Sequence, residues 1–516
     1  MTPPSEEAAG RRNGLSTDTF LQSGRNCWRI GRARKACLII DAEEYYRAVR
    51  SAMLRTRERI LVCGWDFDTR IRLDPQREGR RKNLASLFLK LVAVSTELHV
   101  CILQWSLGAH KQIFSLASLI NLWRWRRANR ITLKLDAAHP AGCSHHQKIV
   151  TLDRSLAVCG GIDIAAGRWD TTDHLDNHPT RIDHAGNPYG PWHDVTMMLE
   201  GPIAGHLDDL ALSRWKAATG ETLPPAIGDG TDLWPEQLAP QFEAVDVAIA
   251  RTSAAYGEVE AVNEIEQCWL DMIAHTRRHL YIENQYFTCA KIAGAIAARL
   301  QEPEPPEFIL VMPRTADGWL EQKAMDGARI VLARQLAKSD PGGRFHVLVP
   351  VTQGGSDIYV HSKLAIMDDS VIRVGSANLN SRSMALDSEC DVIIDCNLAQ
   401  NARCAPQVLL LRQRLLAEHL GVTLETLIEC EEETGSLWET IQQLQTDGRS
   451  LRKLELVEPG VLDSFIAENK LLDPAAPDQF FEPFARMTLH GEWRQGKRRL
   501  TKRLWARLGA KLGRIK

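Results

Sequence analysis

The feature that most limits how this chain can fold is a short pattern, HxKxxxxD, that occurs twice. The first copy starts at His146 and the second at His361, and in each a pair of small residues follows seven positions after the aspartate. One copy would be a weak signal in a chain with 16 histidines. Two copies in equivalent surroundings indicate an internal duplication. The residues of the two copies are His146, Lys148 and Asp153, and His361, Lys363 and Asp368.

The apolar segments around the two copies recur in the same order. Short β-branched runs alternate with helical stretches, which is typical of α/β folds. Trp65 and Gln285 lie 220 positions apart, and His146 and His361 lie 215 positions apart, so the landmarks keep their spacing. We expect strands at 60–65, 101–105, 131–135, 148–153, 156–162 and 195–199, and again at 280–285, 308–312, 345–349, 363–368, 371–377 and 390–395.

These patterns predict an α/β protein of two tandem duplicated lobes, each a mixed sheet flanked by helices and related by a pseudo-twofold axis. A chain of 516 residues is also too long for one ordinary domain. The predicted parts are a partly disordered N-terminal segment (1–40), a first lobe (41–215), a linker rich in proline and glycine (216–245), a second lobe (246–421) and a helical extension with a basic amphipathic tail (422–516).

Composition narrows the possible partners and compartment. The formal net charge is −2, so the whole-molecule field does not favour a nucleic-acid partner, and we expect none. The N-terminus lacks the apolar stretch of a secretory signal, and apolar runs are too short to span a bilayer. We therefore expect a cytoplasmic protein or one peripheral on a phospholipid membrane surface, with export by a route that reads no N-terminal signal left open. The duplicated chain can complete its own site, so a monomer is the simplest expectation.

The spacing of the repeated pattern suggests its chemistry. Side chains at i and i+2 of a strand project from one face, so each histidine points with its lysine. If the lobes pack about a twofold axis, two imidazoles and two lysines meet in one pocket. The lysines supply fixed positive charge for a phosphoryl group. One neutral imidazole can attack phosphorus while the other, protonated, protonates the leaving alcohol. We expect no metal and no cofactor in this reaction.

Further residues are candidates for supporting roles. Asp194 and Glu389 precede the sixth strand of their lobes and could each hold a histidine tautomer, with a structural salt bridge as the alternative. Asp153 and Asp368 are grouped with the catalytic residues by the pattern, yet they end strands and are interpreted mainly as structural. The candidates for substrate binding, for which simple turn roles are the alternative, are Gly161, Asp163, Ser376 and Asn378.

The chain resembles the phospholipase D superfamily, named for its paired HKD motifs, from about Ile60 to Gly421. The segments that resemble its eukaryotic-type branch are CGGIDIAAGRWDT (159–171), PYGPWHDV (188–195), LYIENQYF (280–287), YVHSKLAIMDD (359–369), VGSANLNSRSM (374–384) and LLRQRLLAEHLG (410–421). The resemblance implies cleavage of a phosphatidylcholine-like lipid to phosphatidic acid and an alcohol, with possible transfer to another alcohol. It also implies that His146 is the nucleophile and His361 the general acid and base. Rival hypotheses are a cardiolipin-synthase-like phosphatidyltransferase and a nuclease or other phosphodiesterase on the same scaffold.

Two segments outside the motifs suggest contact with a membrane. Residues 123–127 combine tryptophan and arginine, as at a lipid headgroup boundary, although a helix packed on its own lobe is an equal alternative. Residues 494–516 read as a basic amphipathic helix, with docking on the core as the alternative. Residues 283–285 could shape head-group binding, or simply end a buried strand.

Overall fold

The computed structural model describes residues 19–75, 83–106, 116–224, 226–228, 230–315 and 319–455. The disorder predicted for the first 15 or so residues and the basic tail predicted at 494–516 lie outside these described residues. No helix within the described ranges has both the length and the apolar character needed to cross a bilayer.

The first half of the chain forms a mixed sheet with helices on its faces. Its strands are β1 (Arg29–Ile40), β2 (Arg59–Gly64), β3 (His99–Trp105), β4 (Ile131–Asp136), β5 (Ile149–Leu152), β6 (Leu156–Gly160), β7 (Trp192–His193) and β8 (Val195–Glu200). Its described helices are α1 (Ala42–Met53), α2 (Leu84–Val94), α3 (Leu116–Ala128) and α4 (Pro202–Thr219).

The second half repeats this order. Its strands are β9 (Phe242–Ser253), β10 (Val262–Asn263), β11 (His279–Glu283), β12 (Glu307–Val311), β13 (Phe345–Val351), β14 (Tyr359–Val360), β15 (Leu364–Met367), β16 (Val371–Gly375) and β17 (Glu389–Asp395). Its described helices are α5 (Glu264–His275), α6 (Ala290–Leu300), α7 (Trp319–Lys338), α8 (Ser381–Ala385) and α9 (Ala405–Leu420), followed by α10 (Leu424–Thr434), α11 (Leu437–Leu444) and strand β18 (Ser450–Lys453).

The two lobes share one continuous sheet. Its order is β18-β13-β12-β11-β15-β16-β17-β9-β1-β8-β6-β5-β2-β3-β4. Apart from the edge strand β18, the order on one side of the β9–β1 contact mirrors the order on the other. The chain is therefore an α/β protein of two tandem lobes related by a pseudo-twofold axis, as the duplication predicted. Strands such as β5 and β15 are buried on both faces, which explains why they read as continuous apolar runs.

The predicted lobe boundary at residue 41 leaves out the strand that joins the lobes. Strand β1 lies within the predicted N-terminal segment, yet it pairs with β8 on one side and with β9 on the other. Its first half alternates basic and small residues, and only its second half is an apolar run. That first half crosses the partly exposed junction between the lobes, so hydrophobic patterning did not identify it as a strand. Strand β18 was likewise not assigned from the sequence.

The pairing of the strands determines where the motif histidines and lysines lie in the fold. In lobe one, β2, β3 and β4 are parallel, and the end of β2 pairs with the start of β5 at Cys63 and Ile149. In lobe two, the end of β11 pairs with the start of β15 at Glu283 and Leu364. The motif histidines and lysines, which precede β5 and β15, therefore lie beyond the carboxyl ends of parallel strands, where α/β sheets commonly bind ligands.

Candidate active site

Each motif histidine is held by the backbone of the opposite lobe. The amide of His146 donates to the carbonyl of Ser388 at 2.9 Å, and the amide of His361 donates to the carbonyl of His193 at 2.8 Å. Ser388 and His193 are equivalent positions, because each directly precedes a conspicuous carboxylate, Glu389 or Asp194. The pseudo-twofold axis thus brings both motifs to the interface between the lobes.

The carboxylates Asp194 and Glu389, called here the orienting carboxylates, pair with the histidines in a crossed arrangement. Nδ1 of His361 lies 2.7 Å from Asp194 Oδ2, and Nδ1 of His146 lies 3.1 Å from both carboxylate oxygens of Glu389. Nδ1 of His146 also lies 3.0 Å from the carbonyl of Ser376. Since these acceptors favour a proton on Nδ1, Nε2 of each neutral ring is left for chemistry.

The two motif lysines are buried and hydrogen-bonded. Nζ of Lys148 lies 3.2 Å from Asp163 Oδ2 and donates to the carbonyl of His146 at 2.9 Å. Nζ of Lys363 donates to Gln285 Oε1 at 3.1 Å and to the carbonyl of its own motif histidine. Burial lowers the pKa of Lys363 to about 7, an effect that Asp194 opposes and Lys148 reinforces. The pocket therefore disfavours positive charge until an anion enters it.

The imidazoles share this electropositive environment. Burial lowers the pKa of His146 well below 6.5, and Lys148 and Lys363 lower it further. Burial also lowers the pKa of His361 well below 6.5, with Lys363, Arg168 and Lys148 adding to the effect. Lysines of both lobes act on each histidine, so the four groups form one site. Both rings are neutral at pH 7 before an anionic substrate binds.

The orienting carboxylates are completely buried, which raises their pKa values. Burial raises the pKa of Asp194 to about 6, against the lowering effect of Lys363. It raises the pKa of Glu389 to about 8, although hydroxyl groups of Ser376 and Ser383 donate to this carboxylate at 2.5 and 2.7 Å. Those donors hold the carboxylate in place beside the His146 ring.

Asp153 and Asp368 lie at the far ends of the motif strands. The carboxylate of Asp153 accepts the backbone amides of residues 57–59 at 2.7–2.8 Å. The carboxylate of Asp368 accepts the amides of residues 277–279 at 2.8–3.0 Å. Strand β5 separates Asp153 from the histidine end by roughly 13 Å at about 3.3 Å per residue. Their grouping with the catalytic residues is therefore corrected: both tie down the turns that lead into β2 and β11.

The four candidates for substrate binding take different positions. Asp163 pairs with Lys148 and accepts the amide of Trp65 at 3.2 Å. Ser376 contacts both His146 and Glu389, so it helps to hold the His146 ring in place. A Cβ atom on Gly161 would lie 2.0 Å from Asp194 Oδ1, so only glycine fits there. The side-chain oxygen of Asn378 is buried and has no hydrogen-bond partner among the described residues.

Sequence reasoning missed Arg168 and the aromatic surroundings of the histidines. The Arg168 guanidinium lies 4.4 Å above the ring of Trp192, and its charge helps to lower the pKa of His361. The ring of Trp192 lies 5.1 Å from that of His361, while Trp65 lies 6.3 Å from His146. The segment GRWD was noted only as part of a resemblance. No spacing rule indicated that its arginine would reach the site.

Comparison with known proteins finds a family that matches more than half of the chain. The family described as phospholipase D matches residues 52–293 and 343–448. Phospholipase D1 of Saccharomyces cerevisiae is 23% identical over 489 residues, covering 74% of this chain and 28% of the yeast protein. Phospholipase D A of Dictyostelium discoideum is 24% identical, covering 75% and 35%. Phospholipase D alpha 1 of Nicotiana tabacum is 26% identical, covering 56% and 50%. The chain thus spans half or less of the length of these relatives.

A solved structure shares the fold over nearly the whole molecule. The phosphatidylserine synthase of Haemophilus influenzae Rd KW20 aligns with a TM-score of 0.53, covering 89% of this chain and 94% of that protein. Sequence identity over the alignment is 11%, so the similarity is one of architecture.

Proposed function

The chain belongs to the phospholipase D family, of the eukaryotic type, and from that premise we propose that it is a phospholipase D that cleaves the distal phosphodiester of a glycerophospholipid. The products would be phosphatidic acid and the head-group alcohol. The observation that carries the proposal is the crossed pair of imidazoles, each held through Nδ1 by a carboxylate of the other lobe. Two buried lysines beside them supply the charge that a phosphodiester requires.

The reaction takes two steps. In the first, Nε2 of His146 attacks phosphorus, the bond from phosphorus to the head-group oxygen breaks, and His361 gives its proton to that oxygen. In the second, His361 takes a proton from water while the water oxygen attacks phosphorus and the P–N bond breaks. An alcohol in place of water would give a phosphatidyl-alcohol by the same route.

Substrate binding prepares the acid. In the free protein, burial and neighbouring cations keep the pKa of His361 well below 6.5. A phosphodiester anion placed between Lys148 and Lys363 adds a negative charge beside the ring, which favours the protonated imidazole. The same anion favours protonation of Lys363, whose pKa is otherwise lowered to about 7. Binding of the substrate therefore favours the protonated form of His361, which acts as the acid in the first step.

We also propose that the protein meets its substrate at a membrane surface through helix α3. Leu119, Ile120 and Trp123 are about half exposed, at 47%, 50% and 55%. The opposite face is anchored, because Asn121 donates to the hydroxyl of Thr69 at 3.1 Å. Exposed arginines at 124, 126 and 127 flank the apolar residues, and the combination suits an anionic lipid interface.

The position of α3 brings that apolar face near the site. Strands β3 and β4 are parallel, so the helix between them runs back and begins near the carboxyl edge of β3. Trp105, at that edge, stacks on Trp65 with ring centroids 5.6 Å apart, and Trp65 contacts His146. A membrane touching the first turns of α3 would therefore lie near the edge of the sheet at which the motif histidines are placed.

One assay tests the reaction. Purified protein is incubated with phosphatidylcholine vesicles and a short primary alcohol, and choline, phosphatidic acid and phosphatidyl-alcohol are measured. Parallel incubations contain phosphatidylglycerol or DNA. We expect choline release together with phosphatidyl-alcohol. His146→Ala and His361→Ala abolish both, whereas His99→Ala, which changes an exposed histidine at the start of β3, retains them.

The same assay separates the rival functions. Cardiolipin formation from phosphatidylglycerol, without choline release from phosphatidylcholine, would indicate a phosphatidyltransferase instead. Cleavage of DNA with no lipid turnover would overturn the proposal. Wild-type activity in either histidine variant would eliminate the two-histidine scheme.

A further inference from the structure

A second polar cluster lies behind the motif residues, and the proposed reaction does not use it. It comprises Asp41 from the turn between β1 and α1, His174 from the segment before β7, His193 from β7 and Glu418 from α9. The side chains of both histidines are completely inaccessible, and those of Asp41 and Glu418 are 1% and 8% exposed. Groups of this polarity are buried only where strong partners compensate their desolvation.

The ligand atoms of this cluster have the spacing of a tetrahedral metal site. Oε1 of Glu418 lies 3.0 Å from His193 Nδ1 and 3.1 Å from His174 Nε2. Asp41 Oδ1 lies 3.4 Å from His193 Nδ1, and Asp41 Oδ2 lies 3.4 Å from His174 Nε2. A tetrahedral ion with bonds of about 2.0 Å has ligand atoms about 3.3 Å apart, so these separations fit such an ion.

The outer nitrogens of both histidines are held as they are in metal sites. Nε2 of His193 lies 2.9 Å from Glu283 Oε2, and Nδ1 of His174 lies 2.9 Å from Asp170 Oδ2. Each ring therefore turns one nitrogen toward the centre of the cluster and the other toward a further carboxylate. Histidines that bind metals nearly always donate their second N–H to such an acceptor, which fixes the tautomer.

Asp41 shows that the fold constrains this centre. Its φ of 62° and ψ of 156° are unfavourable for a residue with a Cβ atom. Its Oδ2 is buried and has no hydrogen-bond partner among the described residues. Its other oxygen accepts the backbone amide of Asp194 at 3.1 Å, so the cluster contacts the backbone of the residue whose carboxylate orients His361. A buried carboxylate oxygen that lies 3.4 Å from His174 Nε2 and accepts no hydrogen bond from any described residue points to a ligand between the two atoms.

The charges in the cluster are also compatible with a bound cation. If hydrogen bonds alone filled the cluster, both imidazoles would need two protons to serve carboxylates on either side. Two positive rings would then lie 5.7 Å apart with no exposed surface between them. A single doubly charged ion takes the place of the two central protons, leaves both rings neutral and attracts both carboxylates.

From these observations we propose that a divalent transition-metal cation of the zinc class binds Asp41, His174, His193 and Glu418. Two imidazole nitrogens and two carboxylate oxygens form a ligand set that suits such ions. The ion joins lobe one to helix α9 and, through His193 and Glu283, to the end of β11. Its role is structural, because it lies behind the orienting carboxylates and leaves the two-histidine reaction unchanged.

Metal content tests the proposal without an activity assay. The full chain, purified without chelator, is analysed by plasma mass spectrometry and by X-ray absorption at the edge of the metal found. We expect close to one equivalent, with nitrogen and oxygen ligands at about 2.0–2.2 Å and the signature of imidazoles. His174→Gln and Asp41→Asn should each reduce the content at least tenfold. His346→Gln changes a buried histidine of β13 that stacks on Trp438, and this control should retain the full equivalent of metal.

Other outcomes would overturn the proposal. Sulfur ligands at about 2.3 Å would assign the metal to cysteines instead, of which the chain has twelve, all buried and none in a disulfide. Full metal content in both cluster variants would exclude this site. If a variant fails to fold, the wild type decides: chelator should lower its unfolding temperature by several degrees and Zn²⁺ alone should restore it. Protein that is isolated without metal and takes up no Zn²⁺ would leave the cluster as an ion-pair network.

Discussion

The crossed pairing of carboxylates and histidines makes the two orienting carboxylates experimentally distinguishable. Asp194 holds His361, the proposed acid and base, through a 2.7 Å contact, while Glu389 holds His146, the proposed nucleophile. Loss of a buried hydrogen-bond partner costs about 1–3 kcal/mol. Since about 1.4 kcal/mol is a factor of ten in rate, Asp194→Asn and Glu389→Gln should each slow lipid turnover by about 5- to 150-fold.

A substrate with a nitrophenol leaving group separates the two variants. Nitrophenolate leaves without a proton, so the first step no longer needs His361 as an acid, whereas the second step still needs it as a base. With a phosphatidyl nitrophenol, Asp194→Asn should therefore release close to one equivalent of nitrophenol in a burst and accumulate the phosphatidyl group on His146, measured by stopped-flow absorbance and by mass spectrometry. Glu389→Gln weakens the nucleophile itself and should show no burst.

The reverse pattern would refute this assignment of roles. A burst in Glu389→Gln with the phosphatidyl group on His361 would make the second histidine the nucleophile. Equal losses with no burst in either variant would show that the carboxylates do not divide the steps between the histidines. Asp208→Asn serves as the control for stability, because it removes a completely buried carboxylate paired with Arg59 at the other end of β2. It should lower the unfolding temperature and leave both rates of the folded protein unchanged.

Three further changes test other parts of the structure. Gly161→Ala places a Cβ atom 2.0 Å from the carboxylate of Asp194 and should lower turnover by about 100-fold. In the control Gly190→Ala, the new Cβ atom meets no atom within 4 Å, so turnover should not change. Trp123→Ser should weaken binding to anionic vesicles by about tenfold, as burial of one large apolar side chain predicts. The control is Ile227→Ser, which changes a side chain that is 91% exposed beside the start of β2. Equal loss of vesicle binding in both variants would refute the role of α3. Lys363→Met should abolish turnover yet raise the free energy of unfolding by about 1–4 kcal/mol, because burial lowers the pKa of this lysine from 10.5 to about 7. The cost of burying the charged lysine in the folded state is complete below pH 7 and falls as pH rises toward 10.5. The increase in the free energy of unfolding, measured by urea unfolding, should therefore shrink over that range. A loss of stability at pH 7 would contradict this prediction.

Most of the sheet was predictable because its strands are short apolar runs between polar turns. Strands β2 and β11 begin within a residue of the predicted positions 60 and 280, and they recur with the predicted spacing. Strand β1 was not predicted, since half of its length follows no apolar pattern. Asp153 was grouped with the catalytic residues by the motif but interpreted mainly as structural because it ends a strand, and its hydrogen bonds to the amides of residues 57–59 agree with that interpretation.

The sequence indicated Asp194 and Glu389 as candidates to orient the histidines, but not which histidine each of them contacts. Asp194 and Glu389 stand at equivalent places, and nothing in their spacing shows that each serves the histidine of the other lobe. The cluster around Asp41 was even harder to predict, because its members range from position 41 to position 418 in the chain. Local spacing rules for metal ligands detect sites within one segment, and this set is assembled from four.

The sequence by itself determined the duplication, the two lobes and the four residues proposed for the reaction, because the two-residue period of a strand dictates that each histidine projects with its lysine. The tertiary structure decided which carboxylate meets which ring, that one strand of unremarkable sequence joins the lobes, and that two histidines and two acids share a buried centre. These contacts join residues far apart in the chain, and only the packing of one lobe against the other brings them within bonding distance.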